Sequence, residues 1–205
     1  LNEPLGGILG FAQLVRKCPD LPVQADRDVE KIVRAALHAR EVVKKLMIFA
    51  RQMPPQKKCV DLNRLIDEGL YFLDARCQKK GIRLARRFAK NLPPVTADAG
   101  QIQQVLVNLV VNAVHAMPYG GTIVLKTCCE KENVCLTVED TGCGMDEETR
   151  RRAFLPFYTT KDVHEGTGLG LAVVHGIITS HGGTVELDSE VGVGTRFDVR
   201  LPLSN

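Results

Sequence analysis

The sequence predicts an α+β protein in which a helical hairpin is followed by an α/β sandwich with a mixed sheet. Up to the Pro54-Pro55 pair, apolar residues recur only at helical spacing. Beyond that pair, helical stretches mix with short stretches of alternating polarity that are typical of strands. Two glycine clusters, within 142–144 and 166–170, bracket a polar segment in this second part. Such a pair indicates a phosphate-bearing ligand under a mobile cover.

Two helices joined by a proline turn account for the first part. Apolar positions follow a helical period up to Val15, after which Pro19 and Pro22 prevent the helix from continuing. Asp26 is a suitable N-cap for a second helix, which we expect to end near Gln52.

The second helix is predicted to be the longer one. Folded antiparallel, it would leave about ten residues, or ~15 Å, without a partner. These residues carry the apolar side chains Val43, Leu46, Met47 and Phe49. Because such an overhang needs cover, we expect residues 1–55 to form a homodimeric four-helix bundle and the chain to begin inside a helix.

Residues 56–205 are predicted to form a second domain after a polar linker at 56–58. Helices are expected at 62–80, 99–117, 146–154 and 169–180. Strands are expected at 82–88, 94–96, 122–129 and 134–139, with a final pair within 184–203. This order predicts a mixed sheet with helices on one face.

Composition is that of an ordinary globular protein, with 44% hydrophobic and 25% charged residues and a net charge of +3. Basic residues are interspersed with acidic ones, so nucleic-acid binding is not expected. The apolar stretch 105–117 is interrupted by Asn108, Asn112 and His115 and is too short to span a membrane. Seven cysteines, odd in number and without a C-x-x-C pair, favour reduced, buried thiols in the cytoplasm over disulfides or zinc.

Asp140 is the first candidate for ligand binding. It ends an apolar strand directly before Gly142 and Gly144, where a carboxylate can point into a pocket. It could accept a hydrogen bond from the exocyclic amine of adenine, a charge-assisted bond that contributes ~1.5–3 kcal/mol. The alternative is an aspartate that only forms the turn before glycine.

Asn108 and Asn112 lie four residues apart on an otherwise apolar helix, so both amides project from one face. They could form a polar network in the core, or bind Mg²⁺ and phosphate through oxygens that suit this hard cation. We predict Asn112 as the metal ligand. His115, one turn further on, could meet a phosphate or be a solvated or core histidine.

The second glycine cluster follows an aromatic segment, 154–161, that ends in Thr160 and Lys161. This segment could instead be a packed helix end followed by a solvated lysine. The G-x-G-x-G pattern does not match the dinucleotide fingerprint. The pattern indicates a phosphate site because of its position. It opens the helix that starts at Leu169, and the first backbone amides of that helix would face the phosphates.

In this order the segments resemble the ATP-binding domain of two-component sensor histidine kinases, within the ATPase group shared with type II topoisomerases and mismatch-repair proteins. Asn108-Leu-Val-Val-Asn112-Ala113 resembles the asparagine box and Asp140-Thr-Gly142-Cys-Gly144 the first glycine box. The segment 154–161 resembles the phenylalanine box and lid, 166–171 the second glycine box, and Gly194-Thr195-Arg196-Phe197 the late glycine–threonine motif.

The resemblance implies ATP and Mg²⁺ as ligands, phosphorylation of a histidine and transfer to an aspartate on a response-regulator receiver domain. The implied ATP-binding residues are Asn108, Asn112, His115, Asp140, Gly142, Gly144, Thr160, Lys161, Gly166, Thr167, Gly168, Leu169, Gly170 and Thr195. An ATPase or serine kinase of the same fold and a nucleotide-binding dimeric scaffold are the alternatives.

The hairpin resembles the dimerisation and phosphoacceptor domain of these kinases. There the acceptor histidine and an adjacent glutamate precede a Leu-x-x-Pro-Leu run, here Leu1-Asn2-Glu3-Pro4-Leu5. Both are therefore expected upstream of Leu1, in a parent protein that could be membrane-anchored, and no catalytic residue is expected in this chain. Glu3 stands where the family usually has Asn or Thr, a position tied to phosphatase activity.

Overall fold

The computed structural model describes residues 2–50, 55–160 and 167–203, and only the backbone of residues 2, 41, 42 and 44–50. Two compact units are present, Leu1–Met53 with Thr159–Thr167, and Pro54–Tyr158 with Gly168–Asn205. Lys161 and Gly166, two of the predicted ATP-binding residues, lie outside the described residues. Within the described ranges no helix has both the length and the apolar character needed to cross a bilayer.

A helical hairpin forms from α1 (Asn2–Val15) and α2 (Val23–Ala50). The amide of Asp26 donates to the carbonyl of Pro22 at 3.0 Å, so α2 begins directly after Pro22. The predicted N-cap role of Asp26 is therefore wrong. Proline lacks an amide hydrogen and has a helical φ, which suits a helix start. The Asp26 carboxylate instead pairs with Arg16, at 2.8 Å.

The two helices differ in length as the sequence predicts, with 14 residues in α1 and 28 in α2. Leu9, Ala12 and Ala36 are the buried apolar residues of this hairpin among those described. The side chains of Leu46, Met47 and Phe49, which belong to the predicted overhang, lie outside the described residues.

The second unit contains four further helices and seven strands among its described residues. The helices are α3 (Leu62–Lys79), α4 (Ala99–Ala116), α5 (Glu147–Arg152) and α6 (Gly170–Ser180). The strands are β1 (Lys58–Val60), β2 (Ile82–Arg87), β3 (Val95–Ala97), β4 (Gly121–Glu130), β5 (Asn133–Asp140), β6 (Thr184–Glu190) and β7 (Gly194–Pro202). The predicted α+β class is confirmed.

Five strands form a mixed sheet in the order β2-β4-β5-β7-β6. β2 runs parallel to β4, and the other neighbours are antiparallel. β1 and β3 form a separate antiparallel pair. β1 lies partly in the segment predicted as a linker, because three residues are too few to show strand alternation.

Aspartates set the start of three helices. Asp61, Asp98 and Asp146 each accept a hydrogen bond from the backbone amide three residues later. Such caps satisfy an amide that has no partner within the helix, and each contributes about 1 kcal/mol. Asp98 thereby fixes the start of α4, the helix that carries both predicted asparagines.

The core lies on one face of the sheet, under α3, α4 and α6. Alternate strand residues and the inner faces of the helices supply it, including Ile66, Leu70, Leu106, Leu109, Ile123, Leu125, Leu136, Phe197 and Ile178. The intervening strand residues are polar on the opposite face, where Lys126 pairs with Glu139 at 2.9 Å. The sheet is therefore covered by helices on one side, as the sequence predicts.

Candidate nucleotide-binding site

Asp140 is a buried carboxylate at the end of β5. Its side chain is 6% exposed and accepts a hydrogen bond from the Gly142 amide at 2.8 Å. Thr195 lies opposite it on β7, is also buried, and adds a backbone hydrogen bond to the carboxylate. Burial raises the pKa of Asp140 above its usual value, although both hydrogen bonds act against this rise. Three predicted site residues thus lie together.

The loop after Asp140 can accept only glycine at its two glycine positions. A Cβ on Gly142 would lie 2.6 Å from the Ala116 side chain and 2.8 Å from Oδ1 of Asp140. Gly144 has a φ of 66°, and a Cβ there would lie 2.0 Å from the Glu190 carbonyl oxygen. Backbone and carboxylate are therefore packed together without space for side chains.

Hydrogen bonds hold this loop between α4 and the turn after β6. The Cys143 amide donates to the Ala116 carbonyl at 3.0 Å, and the Cys143 carbonyl accepts from Gly192 at 2.8 Å. Ser189 also accepts from the Met145 amide at 2.9 Å and lies 3.0 Å from the Thr195 hydroxyl. Asp140 is thus held in position by contacts from three separate elements.

Asn108 and Asn112 lie beside the start of α6. A Cβ on Gly170 would be 3.8 Å from Nδ2 of Asn112 and 3.9 Å from Oδ1 of Asn108. Nδ2 of Asn108 is buried and has no hydrogen-bond partner among the described residues. Because an unpaired buried amide costs about 1–3 kcal/mol, its presence in a core helix points to a ligand that accepts from it.

Leu169 precedes α6, is fully buried, and gives the helix no side-chain cap. The first amides of α6 are thus not capped by the residue at its start. α4 contacts both glycine-rich segments. Asn112 lies beside the start of α6, and Ala116, ~6 Å further along the axis of α4, contacts the loop after Asp140. His115 is exposed in the last turn of α4, and Ala116 makes the loop contact there.

The ends of the predicted lid are joined. The Phe157 amide donates to the Gly168 carbonyl at 2.9 Å. Phe157 has a φ of 67° and Gly168 a φ of 63°, and a Cβ on Gly168 would lie 2.4 Å from the Phe157 carbonyl carbon. Phe154 packs against His175 with ring centres 5.6 Å apart. Thr160 and Thr167 lie in the other compact unit, on either side of the residues that the structure does not describe.

Sequence reasoning missed two contributors to the site. Ala116 looks like an ordinary core alanine, and its role depends on its carbonyl rather than its side chain. Ser189 lies on an alternating strand five residues before Gly194, the first residue of the glycine–threonine motif, which is its only sequence signal. All of the predicted ATP-binding residues stay predictions for ligand binding.

Comparison with known proteins gives the family. Residues 97–205 match the model for histidine kinase-, DNA gyrase B- and HSP90-like ATPases. The chain is 40% identical over 190 residues to the sensor kinase CckA of Brucella abortus, covering 85% of this chain and 20% of the relative. It is 33% identical over 206 residues to the sensor histidine kinase ZraS of Escherichia coli K12, covering 100% of this chain and 43% of the relative.

Solved structures of related proteins share the fold of this chain. ShkA in complex with AMPPNP has a TM-score of 0.79 at 29% identity, covering 100% of this chain and 44% of that one. The histidine kinase ThkA in complex with the response regulator protein TrrA has a TM-score of 0.75 at 26% identity, covering 98% of this chain and 58% of that one.

The fold and the site define an ATP-binding domain. The chain belongs to the histidine kinase-, DNA gyrase B- and HSP90-like ATPase family, and the two curated relatives are a sensor kinase and a sensor histidine kinase. It spans less than half the length of the two curated relatives.

Proposed function

We propose that the chain binds ATP with Mg²⁺ and that the whole protein uses this ATP to phosphorylate a histidine and then an aspartate of a response-regulator receiver domain. The observation that carries this proposal is a pair of polar groups beside α4. A buried carboxylate, Asp140, lies near the C-terminal end of α4, and the amide of Asn108, unpaired among the described residues, lies in the middle of α4 beside the start of α6.

Asp140 is the group that recognises adenine in this proposal. A buried carboxylate accepts strongly from an amine, and its own partners are backbone amides that leave acceptor positions free. Glycine at positions 142 and 144 keeps the surrounding backbone close to the base, because any side chain there would meet Asp140 or Glu190.

The asparagines and the start of α6 hold the phosphates. Nδ2 of Asn108 is a donor and therefore suits a phosphate oxygen, whereas the amide oxygen of Asn112 suits Mg²⁺. Mg²⁺ would supply neutralisation of phosphate charge. The uncapped amides of α6 add positive potential at the same place. Catalysis then depends mainly on positioning and charge stabilisation.

In this proposal the chain forms a homodimer through its helical hairpin. Large apolar side chains on α1 and α2 are exposed, with Phe11 at 72%, Leu14 at 60% and Ile32 at 49%. Exposed apolar residues at helical spacing need cover, and a second hairpin in a four-helix bundle would supply it. ThkA in complex with TrrA supports a receiver-domain partner of the same kind. We also propose a cytoplasmic location, where ATP is available and thiols stay reduced.

Calorimetric titration of the chain with ATP tests the nucleotide part. Mg²⁺ should strengthen ATP binding to the wild-type chain, and Asn112→Ala should lose most of this gain. Asn91→Ala, a change at an exposed turn, is the matched control and should keep it. If Asn112→Ala responded to Mg²⁺ as the wild type does, the metal assignment would be wrong.

Phosphoryl transfer is tested on the complete protein. Incubation with labelled ATP should give acid-labile phosphohistidine that a receiver domain removes. Stable phosphoserine, or steady ATP hydrolysis without any labelled histidine, would favour the other enzymes of this fold.

A further inference from the structure

Two cysteines face each other on the helix-free side of the five-stranded sheet. Cys128 on β4 lies directly opposite Cys135 on β5, and their sulfurs lie within 4.8 Å of each other. Cys135 is 4% exposed, whereas Cys128 is partly accessible. Several other strand residues that point to this side, such as Lys126, Glu139 and Arg196, are charged and paired, whereas Val124 and Thr137 are uncharged. The two thiols lie beside these ion pairs, outside the main core between the sheet and its helices.

A carboxylate completes the cluster. Glu130 lies two residues after Cys128, on the same side of β4, and its Oε1 is 3.8 Å from the Cys128 sulfur. One oxygen of Glu130 and the sulfurs of Cys128 and Cys135 all lie within 4.8 Å of one another. They line a concavity of the sheet together with Arg87 and Arg200. Three ligand atoms at this spacing can surround one small cation with little movement.

We propose that Cys128, Glu130 and Cys135 bind a thiophilic divalent cation of the Zn²⁺ class, with a water molecule in the fourth position. Two sulfurs and one carboxylate oxygen are a ligand set that Zn²⁺ accepts in tetrahedral geometry. Mg²⁺ avoids sulfur, so the cation of this site differs from that of the nucleotide site. The thiol protons would leave to solvent when the cation binds.

The charges around the cluster are mixed, since Arg87, Lys126, Arg196 and Arg200 line the concavity together with the carboxylates of Glu130 and Asp198. The deprotonated ligands carry three negative charges, of which Zn²⁺ neutralises two. Arg200 offsets only part of the remaining one, since its guanidinium lies 3.7 Å from Glu130 but is also paired with Glu186 at 2.8 Å. Glu130 lies where its negative charge can attract a cation towards the two sulfurs.

This site is separate from the nucleotide site. Cys135 lies five residues before Asp140 on β5, or ~17 Å along the strand. The proposal therefore stands independently of the proposed function, and loss of the cation site should leave ATP affinity unchanged. The sequence predicts reduced, buried thiols rather than zinc, because it contains no C-x-x-C pair and only strand pairing brings Cys128 and Cys135 together. The burial part of this prediction is wrong, since Cys77 and Cys135 are the only buried cysteines of the seven.

The test uses the reduced chain in which the four exposed cysteines, Cys18, Cys59, Cys129 and Cys143, are replaced by serine. Titration with Co²⁺ should give one equivalent with a thiolate charge-transfer band and tetrahedral visible absorption. Zn²⁺ should then displace the Co²⁺. Adding Cys128→Ser or Glu130→Gln should weaken Co²⁺ binding at least tenfold, whereas Glu132→Gln, on the adjacent turn, should not change it.

Three results would overturn the proposal. One is the absence of the charge-transfer band at saturating Co²⁺, and another is an unchanged affinity in Cys128→Ser. The third is that mass spectrometry finds a Cys128–Cys135 disulfide and that the two thiols, once reduced, bind no metal. Circular dichroism of each variant, together with its ATP affinity, shows that the fold is intact.

Discussion

The Gly142 amide donates a 2.8 Å hydrogen bond to the Asp140 carboxylate, which is 6% exposed. A charge-assisted bond from a backbone amide holds the carboxylate in place and leaves its other lone pairs for a ligand. The buried position makes Asp140 costly to ionise, and a cationic or amine-bearing ligand would offset this cost in the binding role that we propose.

Asp140→Asn separates binding from stability. The amide keeps an acceptor for Gly142 but loses the charge, so we expect ATP affinity to fall by ~10–150-fold, equivalent to ~1.5–3 kcal/mol. The melting temperature at neutral pH should stay the same or rise, because a buried charge is removed. Calorimetry with parallel thermal unfolding measures both. Asp188→Asn, at an exposed strand position, is the control and should bind ATP normally.

The raised pKa of Asp140 gives a pH dependence with a defined sign. Because the folded-state pKa lies above the unfolded one, this group's contribution to stability is present below the unfolded pKa and is lost as pH rises through the folded pKa. The stability advantage of Asp140→Asn should therefore appear as pH rises through this window and be absent in more acidic solution. ATP affinity should weaken on acidification at a higher pH than for an ordinary aspartate of pKa ~3.9. An advantage that grew towards acid would contradict the assignment.

Gly144→Ala tests the packing of the first glycine loop. Its φ of 66° and the 2.0 Å approach of a Cβ to the Glu190 carbonyl together predict a loss of about 1–3 kcal/mol in the free energy of unfolding. Gly192→Ala is a matched control, because Gly192 has a φ of 80° with nothing within 4 Å of its Cβ. Urea unfolding should show the larger loss for Gly144→Ala, and equal losses would mean that the contact with Glu190 is unimportant.

Gly168→Ala tests the junction between Phe157 and the second glycine cluster. The added Cβ would lie 2.4 Å from the Phe157 carbonyl carbon, so the 2.9 Å hydrogen bond between these residues should break. We expect at least a tenfold weaker affinity for ATP. Gly182→Ala has a similar φ of 74° but its nearest neighbour is 3.8 Å away, and it should bind ATP as the wild type does. Equal binding by both variants would show that this junction does not support the site.

Much of the fold and part of the site could be predicted from the sequence. The spacing of Asn108 and Asn112 and the glycines after Asp140 are local signals, and the structure places both on the expected elements. The approach of Gly170 to the asparagines depends on how α4 and α6 pack, which the sequence does not show. Ala116 binds the Cys143 amide through its backbone carbonyl, so its side chain gives no sequence signal. The start of α2 was wrongly predicted because Pro22 and Asp26 are both acceptable helix starts and the hydrogen bonds chose Pro22.

In the proposed site, one helix, α4, lies between the group that binds the base, Asp140, and the group that binds phosphate, Asn108. Calorimetric affinities for ATP and for adenosine, measured in the wild type, Asn108→Ala and Asp140→Asn, test this arrangement. We predict that Asn108→Ala weakens ATP at least tenfold and leaves adenosine unchanged, while Asp140→Asn weakens both. A wild-type level of ATP binding in Asn108→Ala, or adenosine binding that survives in Asp140→Asn, would contradict this arrangement.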